Sequence, residues 1–520
     1  MMPVFPFAAD REHSPAVRQR PDSHIPEKRY DVVIVGAGIG GLSAAALLAH
    51  GGMRVLLLEK IHYPGGCASS YDKFGARFDV GATTFSGVAP TQPLADLFAR
   101  IGTFDGLLPA DPAMGIAIDG RIIRRHRARA AWIEEAERQF DLPMGAFWTE
   151  ISDYSDAAYA AMSAVPHLPP QSVAEAAQCL PHLPRELLRH VPHLFSTIQR
   201  RMRRHGVDNS AFRRFIDAQL LITSQAHSGR VPFFAGALGL SYPDYPVYSV
   251  RGGMISYARF LEERARCAGA HIVYLQAVTG IERRGAEWRV HTRSVASVDA
   301  GAVVTNVPVF NLPSMTSGKQ RAHFERSVER VYASGVHLWG AYTIYGLVDR
   351  EIGKDLPINM QVILPTPLKQ TGSTTLFLSF SHPDDESRAP AGMRTLTIST
   401  HISPKHPALG ADRMYYQSWK NAANSEILLA LQSHVPEFGG IAFHHSQSGT
   451  PLTFERYTGR THGIVGGIPL DHHVFPFRYP MPSPPFDGLH CIGDTFFPGQ
   501  GIPGVTLGAL AVGKRLGVFA

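Results

Sequence analysis

Residues 32–49 read VVIVGAGIGGLSAAALLA, an uncharged run as long as the roughly 18 apolar positions that suit a membrane span. Gly36, Gly38, Gly40 and Gly41 fall within six positions of it. A spanning helix gains nothing from so many poor helix formers, whereas a tight strand-to-helix turn requires them. The run therefore reads as strand (31–35), turn and helix (41–50), with Gly51-Gly52 as the stop and a second strand at 54–58. Gly36-x-Gly38-x-x-Gly41 then lies where a dinucleotide fold places it, and Glu59 ends the second strand, eighteen residues beyond Gly41. The glycines let a pyrophosphate approach the helix N-terminus. The Glu59 carboxylate can accept both hydroxyls of an adenosine ribose and would repel a 2′-phosphate.

At 520 residues the chain exceeds one core of about 250 to 300 residues, so two or three structural regions are expected. A hydrophobic share of 44% with 18% charged residues describes a globular enzyme. The net charge is only +6, but arginines cluster in RIIRRHRAR (121–129) and RRMRRH (200–205). Such clusters are solvated faces or a patch for anionic lipid headgroups; no nucleic-acid module accompanies them, and no nucleic-acid partner is expected. Cys67, Cys179, Cys267 and Cys491 are far apart without a CxxC pair, which fits a reducing cytosol and neither a disulfide framework nor a zinc site. PHL recurs at 166, 181 and 192, but the prolines mark helix boundaries and the histidine spacing suits no metal.

The region 1–29 lacks an apolar signal core and reads as a flexible tail. Residues 30–90, 248–306 and 485–520 carry the strands and helices of a discontinuous nucleotide domain. Residues 91–247, with amphipathic stretches such as AFRRFIDAQLL (211–221), read as a helical cap and membrane-facing region. Residues 307–484, with VHLWGAYTIYG, TTLFLSFSH and RTLTISTHI, read as a largely antiparallel substrate sheet. The expected fold class is thus α/β, a Rossmann-like domain with an antiparallel substrate domain and a helical cap. Gly499-Gln500-Gly501-Ile502-Pro503-Gly504 repeats the glycine pattern without a following strand, so it reads as a helix N-terminus aimed at an anionic or electron-rich group.

DVVIVGAGIGGLSAAALLA, LEK (58–60), PGGCASSY (64–71), FDVGAT (78–83), SVRGGM (249–254) and IGDTFFPGQGIPGVTLGA (492–509) together resemble the FAD-dependent phytoene desaturase, carotenoid isomerase and retinol saturase family. GDTFFPGQG is closer to the isomerase and saturase-like branch. The resemblance implies an FAD-dependent oxidoreductase that desaturates, saturates or isomerises a long apolar polyene or isoprenoid, cytoplasmic and peripherally membrane-associated. It implies that Glu59, beside Lys60, holds the ribose, that Gly65, Gly66, Ala68 and Ser69 pass the pyrophosphate and flavin, and that the Val278 backbone meets the adenine. Gly493 and Asp494 would bind the ribityl or pyrophosphate region, and Ile502, Pro503 and Gly504 would lie under the flavin pyrimidine edge. A helix dipole there would stabilise charge on reduced flavin. Asp494 could equally cap the terminal helix. TFERYTGRTHG (453–463) resembles a stretch on the substrate side of the flavin. Glu455, Arg456 and His462 are therefore candidates for acid, base or charge stabilisation, or else members of ordinary ion pairs. Cys67 reads as a small buried thiol, and His472-His473 carries less signal still. Two alternatives share the N-terminal unit: an FAD amine oxidase, and a non-enzymatic prenyl-binding relative of the Rab escort and GDP-dissociation inhibitor class. The intact Glu59, PGG loop and GIPG segment argue against the second.

Overall fold

The computed structural model describes residues 25–293 and 297–519, so most of the tail expected at 1–29 lies outside the described residues. The first strand, Arg29–Val35, pairs in parallel with Val55–Leu58 on one side and Val298–Thr305 on the other. The sheet continues in parallel to His271–Val273 beyond one neighbour and to Leu489–Cys491 beyond the other. Strands Val278–Arg284 and Glu287–Thr292 form an antiparallel flank on Val298–Thr305. Both faces of the parallel part are covered, which is why VVIV and VLLL are continuously apolar instead of alternating.

The helix Ile39–His50 lies against Met254–Cys267 and Gly501–Arg515 as well as the sheet. Every residue from Ile39 to Ala49 is buried, so the uncharged run at 32–49 is explained by enclosure on all sides. Among the described residues no helix is long and apolar enough to cross a membrane.

The second sheet has the spatial order His445–Gly449, Gly340–Asp349, Met393–Ile402, Thr375–Phe380, Asn359–Ile363, Met114–Ile118, Arg121–Arg125. It is antiparallel except where Asn359–Ile363 meets Met114–Ile118. Part of the region expected to be helical is therefore sheet. Asp119 and Gly120, both at positive φ, turn Met114–Ile118 back into Arg121–Arg125 as a two-residue hairpin. The remainder of that region does supply helices, among them Arg129–Phe140, Gly145–Ala164, Ser210–Ser224 and Phe233–Ser241.

The arginine clusters are not wholly solvated. Arg125 is buried against Asp244, 2.5 Å away, with its guanidinium over Trp132, and Arg201 is buried against Glu150, which also accepts from His205. Arg124, Arg127, Arg200 and Arg204 remain exposed.

Two histidines are held neutral by the fold. Burial pulls His490, on strand Leu489–Cys491, down to about 4, and its Nδ1 has no hydrogen-bond partner among the described residues. Burial, aided by His227 and His337, does the same to His401, also to about 4. Each binds a proton near 6.5 when unfolded, so between about 6.5 and 4 the unfolded chain holds more protons. Stability should be complete above pH 6.5 and fall by about 1.4 kcal/mol per pH unit per histidine as pH drops toward 4. Denaturant titrations across that range should show the decline, with a shallower slope in His490→Gln. An unchanged slope would contradict it.

Candidate functional site

The carboxyl ends of Arg29–Val35, Val55–Leu58, Val298–Thr305 and Leu489–Cys491 converge, and each delivers a polar or glycine residue to one cleft. Such a crevice is where open α/β sheets bind ligands. After the first strand, Gly36 turns at φ +100° and the helix begins at Ile39 with no side-chain cap, which leaves first-turn N–H groups available. Gly41 must be glycine, because a Cβ there would sit 2.0 Å from the Gly36 carbonyl oxygen. Gly38 and Gly40 face the amide of Asn306, which a Cβ would approach to 2.6 and 2.8 Å. Asn306 is fixed by its own N–H, which donates to the Val35 carbonyl at 2.9 Å.

Glu59 is buried, and its two carboxylate oxygens accept N–H groups of Ala37 (2.7 Å) and Ile61 (3.0 Å). Burial pushes its pKa upward, opposed by those two donors. The Glu59 carbonyl accepts from Gln276 N–H at 2.8 Å, which brings the segment leading to Val278 alongside it. Lys60 is turned elsewhere: its ammonium lies where a Gly459 side chain would begin, at the left-handed end of helix Pro451–Thr458. Burial lowers its pKa.

The PGG loop closes the cleft from the other side. Gly65 N–H donates to Ala37 O at 2.8 Å, and Gly66–Ala68 makes a single turn before Ser69. The hydroxyls of Ser43, Ser69 and Thr506 are buried without partners among the described residues. The glycine turn, the uncapped first-turn N–H groups and the buried Glu59 together fit a dinucleotide with its polyphosphate.

At the far end, Gly493 packs on Asn306 and Asp494 pairs with Arg460 at 2.7 Å. Asp494 does not cap the terminal helix, since Gly501–Arg515 starts after Gln500 with no side-chain cap. Arg460 Nε also donates to Ile464 O, and its charge draws on the Cys67 thiol, which burial nevertheless holds above its ordinary pKa. Ile502 is buried, Pro503 stands against Gly87, and a Cβ on Gly504 would meet the Gly499 carbonyl at 2.7 Å. No acid lies in this helix's first turn, so its positive end is free for an electron-rich group.

Glu455 and His462 do come together, but as a backbone clasp: Glu455 Oε1 accepts the His462 N–H at 3.0 Å, and the exposed His462 sits at φ 56°. Arg456 is exposed, with its guanidinium over the Tyr457 ring. Asp471, His472 and His473 are close enough together to suggest a cation, yet Arg230 already pairs with Asp471 at 2.5 Å. Arg460 and Asn306 are the residues that sequence reasoning passed over. Arg460 lies inside TFERYTGRTHG, and Asn306 follows strand Val298–Thr305 at the same level as Glu59.

This fold and cleft define a dinucleotide-binding protein with a Rossmann-like core. Residues 34–101 match the NAD(P)-binding Rossmann-like domain family. Over 512 residues the chain is 24% identical to the chloroplastic prolycopene isomerase of Arabidopsis thaliana, covering 94% of this chain and 83% of that one. It is 44% identical over 81 residues to the all-trans-retinol 13,14-reductase of Homo sapiens, covering 15% of this chain and 13% of that one. A putrescine oxidase double mutant shares the fold over 94% of this chain and 98% of its own, with a TM-score of 0.62 at 14% identity. The resemblance to the carotenoid isomerase and saturase-like family that the motifs carry is thereby borne out.

Proposed function

We propose that the protein is an FAD-dependent oxidoreductase that desaturates, saturates or isomerises a long apolar polyene or isoprenoid taken from a membrane surface. One observation carries the reading. Phe497, two residues before Gly499, stacks on Phe475 (ring centroids 6.0 Å apart), Phe475 on Phe234 (5.2 Å), Phe234 contacts Phe195 (5.9 Å), and Phe195 stacks on Phe477 (5.8 Å). Phe195 and Phe477 are 62% and 83% exposed. A row of rings thus runs from the terminal-helix end of the cleft to the surface, an environment suited to an apolar conjugated chain. Exposed Val173, Leu180, Leu188 and Val191, interspersed with exposed Arg185 and Arg189, suit contact with a bilayer carrying anionic headgroups.

Bound FAD would supply a two-electron donor or acceptor. Glu59 would hold its ribose, and the glycine turn and PGG loop its pyrophosphate. The N-terminus of Gly501–Arg515 would stabilise negative charge at the pyrimidine edge. The Arg460–Asp494 pair would brace the loop beneath, and the aromatic row would exclude water and align the substrate.

The purified protein should show the flavin visible band. A colourless protein that cannot be reconstituted would favour the prenyl-binding class. Glu59→Ala should weaken FAD binding roughly ten- to a hundredfold, because the ribose loses a charged acceptor, and added FAD should restore part of the activity. Phe195→Glu with Phe477→Glu should abolish sedimentation with anionic liposomes at unchanged flavin content; retained sedimentation would remove the membrane face. Supplied anaerobically in liposomes with carotenes, retinol and amines, the holoenzyme should change the mass or retention time of a polyene. Flavin bleaching by an amine alone would overturn the reading in favour of amine oxidation.

A further inference from the structure

Outside the dinucleotide cleft, a cavity of about 590 Å³ opens at one end of the substrate sheet, among residues 109–112, 350–358 and 381–394. Arg394 lines it and is only 7% exposed. Its guanidinium lies 4.1 Å from the centre of the Phe380 ring, one Nη2 N–H donates to Ser381 O at 3.2 Å, and Nε has no acceptor among the described residues. Arg350, which donates to Pro383 O at 2.7 Å, and the exposed Arg124 line the same space. None of the three arginines forms an ion pair among the described residues. Burial and the neighbouring Arg350 charge lower the Arg394 pKa to about 10, with no carboxylate offsetting them.

The cavity also holds acids, and their placement selects among ligands. Asp385 is committed to the Gly252 N–H (2.7 Å) and the Ser387 hydroxyl (2.6 Å), and Glu351 to Lys354 (2.6 Å). Asp111, Asp355 and Glu386 remain, exposed at the rim. An uncompensated buried guanidinium calls for an anionic oxygen, and planar guanidinium donors match phosphate. Free carboxylates at the mouth repel a bare anion and call for hydroxyl donors. The volume is that of a small-molecule site and far exceeds one phosphate ion.

We propose that this cavity binds a sugar phosphate, with the phosphate on Arg394 and Arg350 and the sugar hydroxyls on Asp111, Asp355 and Glu386. The proposal is independent of the substrate reading. Calorimetric titration of the FAD-loaded protein with glucose 6-phosphate, inorganic phosphate and glucose tests it. Glucose 6-phosphate should bind saturably at one site without displacing flavin, inorganic phosphate more weakly, and glucose not at all. Arg350→Ala, an exposed position that leaves folding intact, should weaken glucose 6-phosphate roughly ten- to a hundredfold, and Arg394→Gln should weaken it further, both at unchanged flavin content. Absence of saturable binding, equal affinity for phosphate alone, or undiminished binding in both variants would overturn it. A colourless protein would sink the flavin reading alone, because the same titration then runs on the protein as purified.

Discussion

Replacing Gly41 with valine should leave a protein that retains no dinucleotide, the largest functional effect expected of any single substitution. The Cβ would lie 2.0 Å from the Gly36 carbonyl oxygen, a contact that no side-chain rotation relieves because both atoms belong to the turn itself. The turn or the helix start must move. Either movement misdirects the first-turn N–H groups that would meet a pyrophosphate. The helix is buried from Ile39 to Ala49, so some stability should be lost too. Flavin content after purification and the melting temperature are the two readouts. Gly410→Ala is the control: that position has open space and an ordinary φ, and both readouts should match the parent. Normal flavin content in Gly41→Val would mean that the cofactor lies elsewhere.

The largest loss of stability should follow Asp244→Ala. Asp244 and Arg125 are each 1% exposed in their side chains and sit 2.5 Å apart, and the other Asp244 oxygen accepts the Ser152 hydroxyl at 2.6 Å. Arg125 lies on the edge strand of the substrate sheet and Ser152 on helix Gly145–Ala164, so the carboxylate fastens the helices to the sheet. Removing it strands a buried cation between Trp132 and Trp148, at a cost of about 3 to 5 kcal/mol. Urea unfolding should register that loss. The double change Arg125→Met with Asp244→Leu should recover most of it, since an apolar pair of similar volume is often neutral. If the double variant is no better than the single one, the strands and helices are held by packing and the ion pair is incidental.

The parts of the site that could be read in advance are those whose geometry is imposed locally by the backbone. Gly36, Gly38 and Gly41 announce a turn, and Glu59 and the GIPG helix start follow from strand and helix spacing. Arg460 was hidden because its partner, Asp494, is 34 residues away and only the fold brings them together. Asn306 has no motif of its own and matters because its strand ends beside the first one. The hairpin at 114–125 was masked by helix-rich neighbours, although Asp119-Gly120 between apolar runs is a hairpin signal in its own right. Charge counting could not separate Arg125 and Arg201, which point inward, from their exposed neighbours. Glu455 and His462 were legible as neighbours, but their joint work as a backbone clasp was not.

The parallel sheet is assembled from three distant stretches of chain, and this sets a schedule for biosynthesis. Arg29–Val35 and Ile39–His50 leave the ribosome early, yet the strand and helix that enclose them, Val298–Thr305 and Gly501–Arg515, are translated hundreds of residues later. At about 5 to 20 residues per second the wait for the terminal helix lasts roughly 25 to 90 s. Until then the uncharged run at 32–49 lacks part of its final cover, and the nascent chain exposes apolar surface that can seed aggregation. Yield in a cell should therefore depend on chaperone capacity during elongation more than on the stability of the finished protein.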